Sequence, residues 1–434
     1  MDQLIVRRLR EEVADTLTRQ RREDSAAGVG LMNAEDERQF ARAVIARTLE
    51  SYARTEMAGG RTPPTLEDEA ELSEGIHAAL FGVGRLQPLL DDPMVENIDI
   101  NGCDQIFVGF ADGHEERPAP IADNDEELIE LVQVLAAYSG LSSRPFDTSN
   151  PQLDLRLPDG SRLSAVMGVT ARPALSIRRA RLSRVSLDDL VRNGSMTLEI
   201  AEFLSAAVRA RKNIMIAGAT NAGKTTLLRA LANEIPPSER LITVERALEL
   251  GLGEYEDLHP NVVSLEERLP NSEGQGFIGM AELVRRSLRM NPSRVIVGEV
   301  LGDEIVTMLN AMSQGNDGSL STIHANSSLE VFNRICTYAI QSAERLPADA
   351  ASMLIAGAID FVLFVERINS FESGGGLRRV VTSIREVNGV DERVLSSEVF
   401  ALGPDGEAHP AAAISCLDDL MRVGYSGAAP GVYR

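Results

Sequence analysis

The spacing of apolar positions changes character along the chain. Over residues 3–22, Leu4, Ile5, Leu9, Val13 and Leu17 recur at helical intervals and predict an amphipathic helix. A small-residue stretch, 25–30, follows it, and residues 35–53 predict a second helix. Ala58-Gly-Gly-Arg-Thr-Pro-Pro64 reads as a linker, and 65–74 as the acidic start of a third helix. From 82 to 179 the apolar runs shorten to strand length. Asn97-Ile-Asp-Ile100 and Gln105-Ile-Phe-Val108 flank the turn pair Asn101-Gly102. Leu157-Pro-Asp-Gly160 is a second turn, ahead of the strand Arg162-Leu-Ser-Ala-Val166, and 126–138 predicts a helix between the two groups. This is an α+β block.

An arginine-rich segment, 176–185, holds Arg178, Arg179, Arg181 and Arg184. Ser186, with Asp189 three residues on, then has the signature of a helix N-cap. Beyond it strands and helices alternate. Ile214-Met-Ile-Ala217, Leu241-Ile-Thr-Val244, Arg294-Val-Ile-Val-Gly298 and Leu320-Ser-Thr-Ile323 are apolar almost throughout, as strands covered on both faces are. Residues 224–234 predict a helix stopped by Pro236-Pro237. The expected fold is α/β in three parts: a helical segment 1–60, an α+β domain 65–185, and a domain with a mostly parallel sheet over 186–434. No internal repeat is visible, and Gly374-Gly-Gly376 reads as a loop.

Composition narrows the function. At about 150 residues per domain, 434 residues suit two or three domains. With 44% hydrophobic residues the chain can bury a large core, which excludes wholesale disorder. A net charge of −22 argues against direct nucleic-acid binding, which needs a basic surface. Cys103, Cys336 and Cys416 are widely spaced, pointing to a reduced, cytoplasmic compartment. His77, His114, His259, His324 and His409 show no zinc-ligand spacing. The first 24 residues lack the apolar core of a secretory signal. The most apolar stretch, 353–365, is interrupted by Asp360 and too short to span a bilayer, so membrane association would be peripheral. Only Lys212 and Lys224 are lysines among the 43 basic residues, so a lysine here marks a place where arginine does not serve.

Lys224 falls in Gly218-Ala-Thr-Asn-Ala-Gly-Lys-Thr-Thr226, a GxxxxGK[ST] phosphate-binding loop between a strand and a helix. Its glycines let successive backbone N–H groups curl toward phosphate oxygens, and the helix N-terminus adds its positive end. Gly218, Ala219, Thr220, Asn221, Ala222, Gly223, Lys224, Thr225 and Thr226 are therefore expected to hold ATP, Lys224 at the β/γ-phosphates and Thr225 on Mg²⁺. Such a site also needs a carboxylate at the end of a neighbouring strand. Glu299 ends Val295-Ile-Val-Gly-Glu299, and Glu245 follows Leu241-Ile-Thr-Val244. His324, at another strand end, is a candidate γ-phosphate sensor. Arg285, Arg286 and Arg289 lie on a helix whose Leu283 and Leu288 face inward, and the basic 178–184 run could reach phosphates.

Together these motifs resemble the type II/type IV secretion ATPase superfamily, most nearly the CpaF-type ATPases of Tad (tight adherence, Flp) pilus assembly. Thr243-Val-Glu-Arg-Ala-Leu-Glu-Leu250 is similar to the family's acidic box. Leu283-Val-Arg-Arg-Ser-Leu-Arg-Met290 with Arg294-Val-Ile-Val-Gly-Glu-Val300 resembles its Walker B region, and Asp317-Gly-Ser-Leu-Ser-Thr-Ile-His-Ala-Asn326 its histidine box. Gly84-Arg-Leu-Gln-Pro-Leu-Leu90, Leu157-Pro-Asp-Gly-Ser-Arg162 and Leu175-Ser-Ile-Arg-Arg179 resemble its N-terminal domain. The resemblance implies a RecA-like ATPase domain and a homo-hexamer, cytoplasmic at the inner face of the cell membrane, working on an inner-membrane platform protein. It implies Glu245 as the base that activates water, Glu299 as the Walker B carboxylate with Mg²⁺, His324 as γ-phosphate sensor, and Arg178 or Arg179 reaching the nucleotide from the N-terminal domain. Pilin assembly or protein export is the implied work, with DNA conjugation or uptake the alternative. Arg246 and Leu301 depart from the Asp and Arg that many relatives carry.

Overall fold

The computed structural model describes residues 3–26, 34–60, 62–81, 84–111, 113–138, 146–157, 159–179, 184–270, 274–369 and 377–427. Residues 27–30 of the small-residue stretch, Arg61, Pro158, Arg181 and the glycine run 374–376 lie outside them. Two compact units divide at Arg179/Ala180.

The first unit opens with α1 (Gln3–Ala26), α2 (Ala34–Ala58) and α3 (Leu66–Phe81). Their apolar stripes close on one another: Leu9, Val13, Ile45, Leu49, Leu72 and Ile76 share one buried cluster. A short helix α4 (Gln87–Asp91) leads into an antiparallel sheet of order β3-β2-β1-β6-β5-β4. Its strands are β1 (Val95–Asn101), β2 (Ile106–Phe110), β3 (Glu115–Glu116), β4 (Gln152–Arg156), β5 (Arg162–Val166) and β6 (Ala174–Arg178). Helix α5 (Asp125–Tyr138) covers one face with Leu128, Val132 and Leu135. The Asn101-Gly102 turn is longer than a two-residue hairpin, since Asn101 N–H donates to Gln105 O. Arg172 explains Gly102. Its guanidinium donates to both oxygens of Asp125 and to Asp104, and a methyl group on Gly102 would collide with it.

The second unit holds α6 (Leu187–Arg192), α7 (Leu198–Arg209), β7 (Ile214–Gly218), α8 (Lys224–Ala232), β8 (Leu241–Glu245), β9 (Val262–Glu266), α9 (Met280–Ser287) and β10 (Arg294–Val300). After these come α10 (Glu304–Ser313), β11 (Leu320–His324), α11 (Glu330–Gln341), α12 (Ala348–Ala358) and β12 (Phe361–Asn369). Strands β13 (Leu377–Asp391), β14 (Arg393–Leu402) and β15 (Ala408–Pro410) and helix α13 (Leu417–Arg422) complete it. The sheet runs β15-β14-β13-β12-β7-β11-β10-β8-β9, parallel from β12 to β9 and antiparallel beyond β12. One strand, β11, separates β7 from β10, the order of a RecA-like ATPase domain. The expected α/β class and mostly parallel sheet are thus present.

Alternate residues of β7 show why its sequence is apolar throughout. Ile214 and Ile216 pack with α6, α7 and α8 on one face, while Met215 and Ala217 pack with α9, α10, α11 and α12 on the other. Ser186 caps α6 through the expected reciprocal pair with Asp189. The apolar stretch 353–365 divides into the end of α12 and the start of β12. Asp360 sits at the break, accepting from the Asn213 N–H at 2.8 Å.

Asn213 fixes the start of β7. Its buried side-chain amide donates to Met312 O (3.1 Å) and Ala358 O (2.8 Å), and its oxygen accepts from Gly318 and Ser319 N–H, each at 2.9 Å. Nearby, the fully buried Arg294 makes a two-pronged pair with Glu239 (2.8 and 2.7 Å) and donates to Val208 O. At the entrance to the unit, His259 donates through Nε2 to Asn233, whose amide donates to Val185 O.

Two expectations follow. Asn213→Ala orphans four buried backbone groups, at about 1–3 kcal/mol each before relaxation. It should lower the urea-unfolding free energy by roughly 3 kcal/mol or more with an unchanged slope; a loss below about 1 kcal/mol would remove Asn213 as the anchor of β7. His259 is buried, which lowers its pKa below the ordinary 6.5. The unfolded chain then takes up the proton first, so stability is complete above about pH 6.5 and declines as pH falls toward the lowered value. Chemical denaturation of wild type and His259→Gln between pH 7.5 and 5.5 should give a shallower decline in the variant; parallel profiles would contradict this.

Candidate functional site: a phosphate-binding loop on the parallel sheet

Strand β7 ends at Gly218, where the chain turns into the loop before α8. Gly218 has φ +157°, and a methyl group there would collide with Val365 O of the neighbouring strand β12. Asn221 and Gly223 have φ +60° and +98°, so the loop runs through left-handed backbone that glycine adopts most readily and in which asparagine is enriched among the other residues. Gly223 is the N-cap of α8 and offers no side-chain acceptor, unlike Ser186 of α6 and Thr197 of α7. No side chain caps the first turn of α8, and a helix N-terminus of that kind suits an anion.

Lys224 is 7% exposed. Its ammonium donates to Gly218 O (3.2 Å), Ala219 O (2.9 Å) and His324 Nδ1 (3.2 Å). Because Nδ1 accepts from the ammonium, the proton of a neutral imidazole sits on Nε2, which faces Glu299 Oε1 at 2.8 Å. Three residues more than 70 positions apart in part, Lys224, Glu299 and His324, thus form one chain of contacts at the C-terminal edge of the parallel strands, where α/β folds bind ligands.

Glu245 ends β8 and is 3% exposed. Its Oε2 accepts from Glu249 N–H (2.7 Å) and Leu250 N–H (2.8 Å), and its Oε1 from the Thr243 hydroxyl (2.9 Å). Burial raises its pKa above the ordinary value despite these bonds. A carboxylate has about four lone-pair sites, so one remains on Oε1. Gly298 lies against it: a methyl group there would come within 3.1 Å of Glu245 Cγ.

The structure brings the loop, Lys224, His324 and Glu299 together and sets Glu245 on a nearby strand. Thr225 and Thr226 are half-buried in the first turn of α8. Arg178 and Arg179 belong to the first unit. Arg178 is exposed at the end of β6, while Arg179 is held 2.5 Å from Asp159 of the turn after β4. Arg246, Arg285, Arg286 and Arg289 are exposed, and Leu301 donates its N–H to the buried Glu304.

Sequence reasoning missed a cavity of about 230 Å³ beside the loop. Leu190, Met196, Thr226, Val365, Arg378 and Arg379 are among its lining residues. Its β12–β13 wall could have been found in the apolar run 361–365 and the β-branched run 380–382. The donors present fit a nucleotide with Mg²⁺: uncapped helix amides and an ammonium for phosphates, and a threonine hydroxyl and a carboxylate, hard oxygen donors, for the ion.

These features define a P-loop nucleotide-binding domain of RecA-like order. The chain belongs to the type II/IV secretion system ATPase superfamily: residues 81–372 match the family described as "Type II/IV secretion system protein". It is 33% identical over 356 residues to the "Putative conjugal transfer protein Rv3659c" of Mycobacterium tuberculosis, covering 80% of this chain and 95% of that protein. It is 30% identical over 332 residues to the type IV secretion system protein PtlH of Bordetella pertussis, covering 70% and 94%. Among solved structures, the VirB11 ATPase of the Brucella suis type IV secretion system, in complex with sulphate, is 28% identical over 70% of this chain and 92% of its own, with a TM-score of 0.37. Among the described residues no helix is long and apolar enough to cross a membrane.

Proposed function

We propose that this protein is an ATP-hydrolysing motor of a type II/type IV secretion or Tad pilus assembly system, driving pilin assembly or protein export. The observation that carries the reading is the contact chain Lys224–His324–Glu299 at the mouth of the phosphate loop. ATP lies with its phosphates on the amides of 218–226, and its nucleoside takes the adjoining cavity. Lys224 leaves the loop carbonyls for the β/γ-phosphates, and His324, in contact with it, senses that exchange. Thr225 and Glu299 would hold Mg²⁺, which would supply positive charge for the transferred phosphoryl group. Glu245 accepts the proton of the attacking water, and a pKa raised by burial suits it to that role. Water oxygen bonds to the γ-phosphorus, and ADP departs with the β–γ bridging oxygen.

The protein acts as a homo-hexamer in the cytoplasm, at the inner face of the membrane against an inner-membrane platform protein. DNA transfer is a second reading, favoured by the 33% identity to a mycobacterial conjugal transfer protein. Deleting the gene in its host discriminates: loss of pili or export with intact DNA transfer supports the first reading, the reverse the second.

Lys224→Ala should abolish ATP hydrolysis by the purified chain. Glu299→Gln and Glu245→Gln should keep nucleotide binding while turnover falls by about two orders of magnitude or more. Wild-type turnover in Lys224→Ala would refute the site, and lost binding in the glutamine variants would show their roles misassigned.

A further inference from the structure

The phosphate loop is braced from outside by the hairpin of β12 and β13. Each carbonyl of a phosphate loop needs a donor, and those of Gly218 and Ala219 take Lys224. At Asn221 that donor is Arg379 of β13, whose Nε reaches the Asn221 carbonyl at 3.1 Å. The stem of the same side chain lies along the loop: a methyl group on Gly223 would come within 3.3 Å of Arg379 Cδ. Strand β13 is itself held in place. Arg378 donates to Gly194 O at 2.6 Å, and Val381 N–H donates to Ser195 O at 2.9 Å. Arg378 and Arg379 also line the cavity with Gly223 and Thr226.

We propose that Arg379 is a positioning residue for nucleotide binding, holding the Asn221 carbonyl with its guanidinium and the Gly223 backbone with its stem, so that the loop keeps the curvature that receives phosphate. This rests on the nucleotide-site reading above and extends it to a strand more than 150 residues downstream of the loop. The left-handed backbone at Asn221 is a sparsely populated conformation that persists where its surroundings hold it. Arg379 acts on ground-state binding and the chemistry of hydrolysis lies elsewhere, so its loss should separate KM from kcat.

The test uses the full chain with Mg²⁺ and ATP. Arg379→Met keeps the aliphatic stem over Gly223 and removes the donor. It should raise KM for ATP about tenfold, the scale of one lost hydrogen bond from a charged donor, with kcat within about threefold. Its thermal midpoint without nucleotide should match wild type, and Arg379→Lys should recover part of the lost affinity. An unchanged KM in Arg379→Met, or equal loss of kcat and thermal stability, would overturn the proposal. Lys224→Ala run alongside keeps the two readings apart: if it is inactive while Arg379→Met behaves as wild type, only the role of Arg379 fails.

Discussion

A buried ammonium must be matched by acceptors, and Lys224 is where that constraint shapes the fold. Its charge lies at the C-terminal edge of the parallel strands, satisfied by the carbonyls of Gly218 and Ala219 and by His324 Nδ1. Two elements deliver these acceptors. The carbonyls come from the turn after β7, and His324 from the end of β11. Glu299, from the end of β10, fixes the imidazole through Nε2. Interposing β11 between β7 and β10 is what sets histidine between lysine and carboxylate. The same groups that neutralise the ammonium would be released when phosphate oxygens replace them, which links occupancy of the loop to two strand ends.

The rigid parts of the second unit serve that edge from below. Asn213 bonds the start of β7 to the chain entering β11 and to the ends of α10 and α12, while Arg294 and Glu239 bury a charge pair beside it. Breaking either would leave polar groups orphaned in a dry interior, so these positions are costly to vary. Around the loop itself, the supports come from late in the chain. Val365 of β12 leaves no room for a side chain at Gly218, and Arg379 of β13 holds the Asn221 carbonyl. The three antiparallel strands thus extend the parallel sheet at the nucleotide end rather than forming a separate module.

Much of this was legible in the sequence because local signals agreed with the tertiary answer. The apolar runs of β7, β8, β10 and β11 read as strands, being covered on both faces, and the glycines and Lys224 announced the loop. The capping pair Ser186–Asp189 was equally plain. The β12–β15 region was less legible: its strands mix buried and exposed positions, and 353–365 runs helix into strand with only Asp360 marking the join. The bonds of Asn213, Arg294 and Arg379 join residues far apart in the chain, and no local pattern reports a partner at that distance. The resemblance implies Arg178 or Arg179 as the arginine that reaches the nucleotide, and no local pattern announces that Arg179 Nη1 lies 2.5 Å from Asp159.

The central claim is that the loop and Lys224 grip the phosphates of a magnesium-bound nucleotide. Calorimetric titration of the full chain with a non-hydrolysable ATP analogue and Mg²⁺ tests it most directly. Saturable binding is expected, with a dissociation constant in the range of about 1 μM to 1 mM typical of enzyme substrates, strongly weakened when the triphosphate is replaced by adenosine. Absence of binding, or equal affinity for adenosine alone, would contradict it.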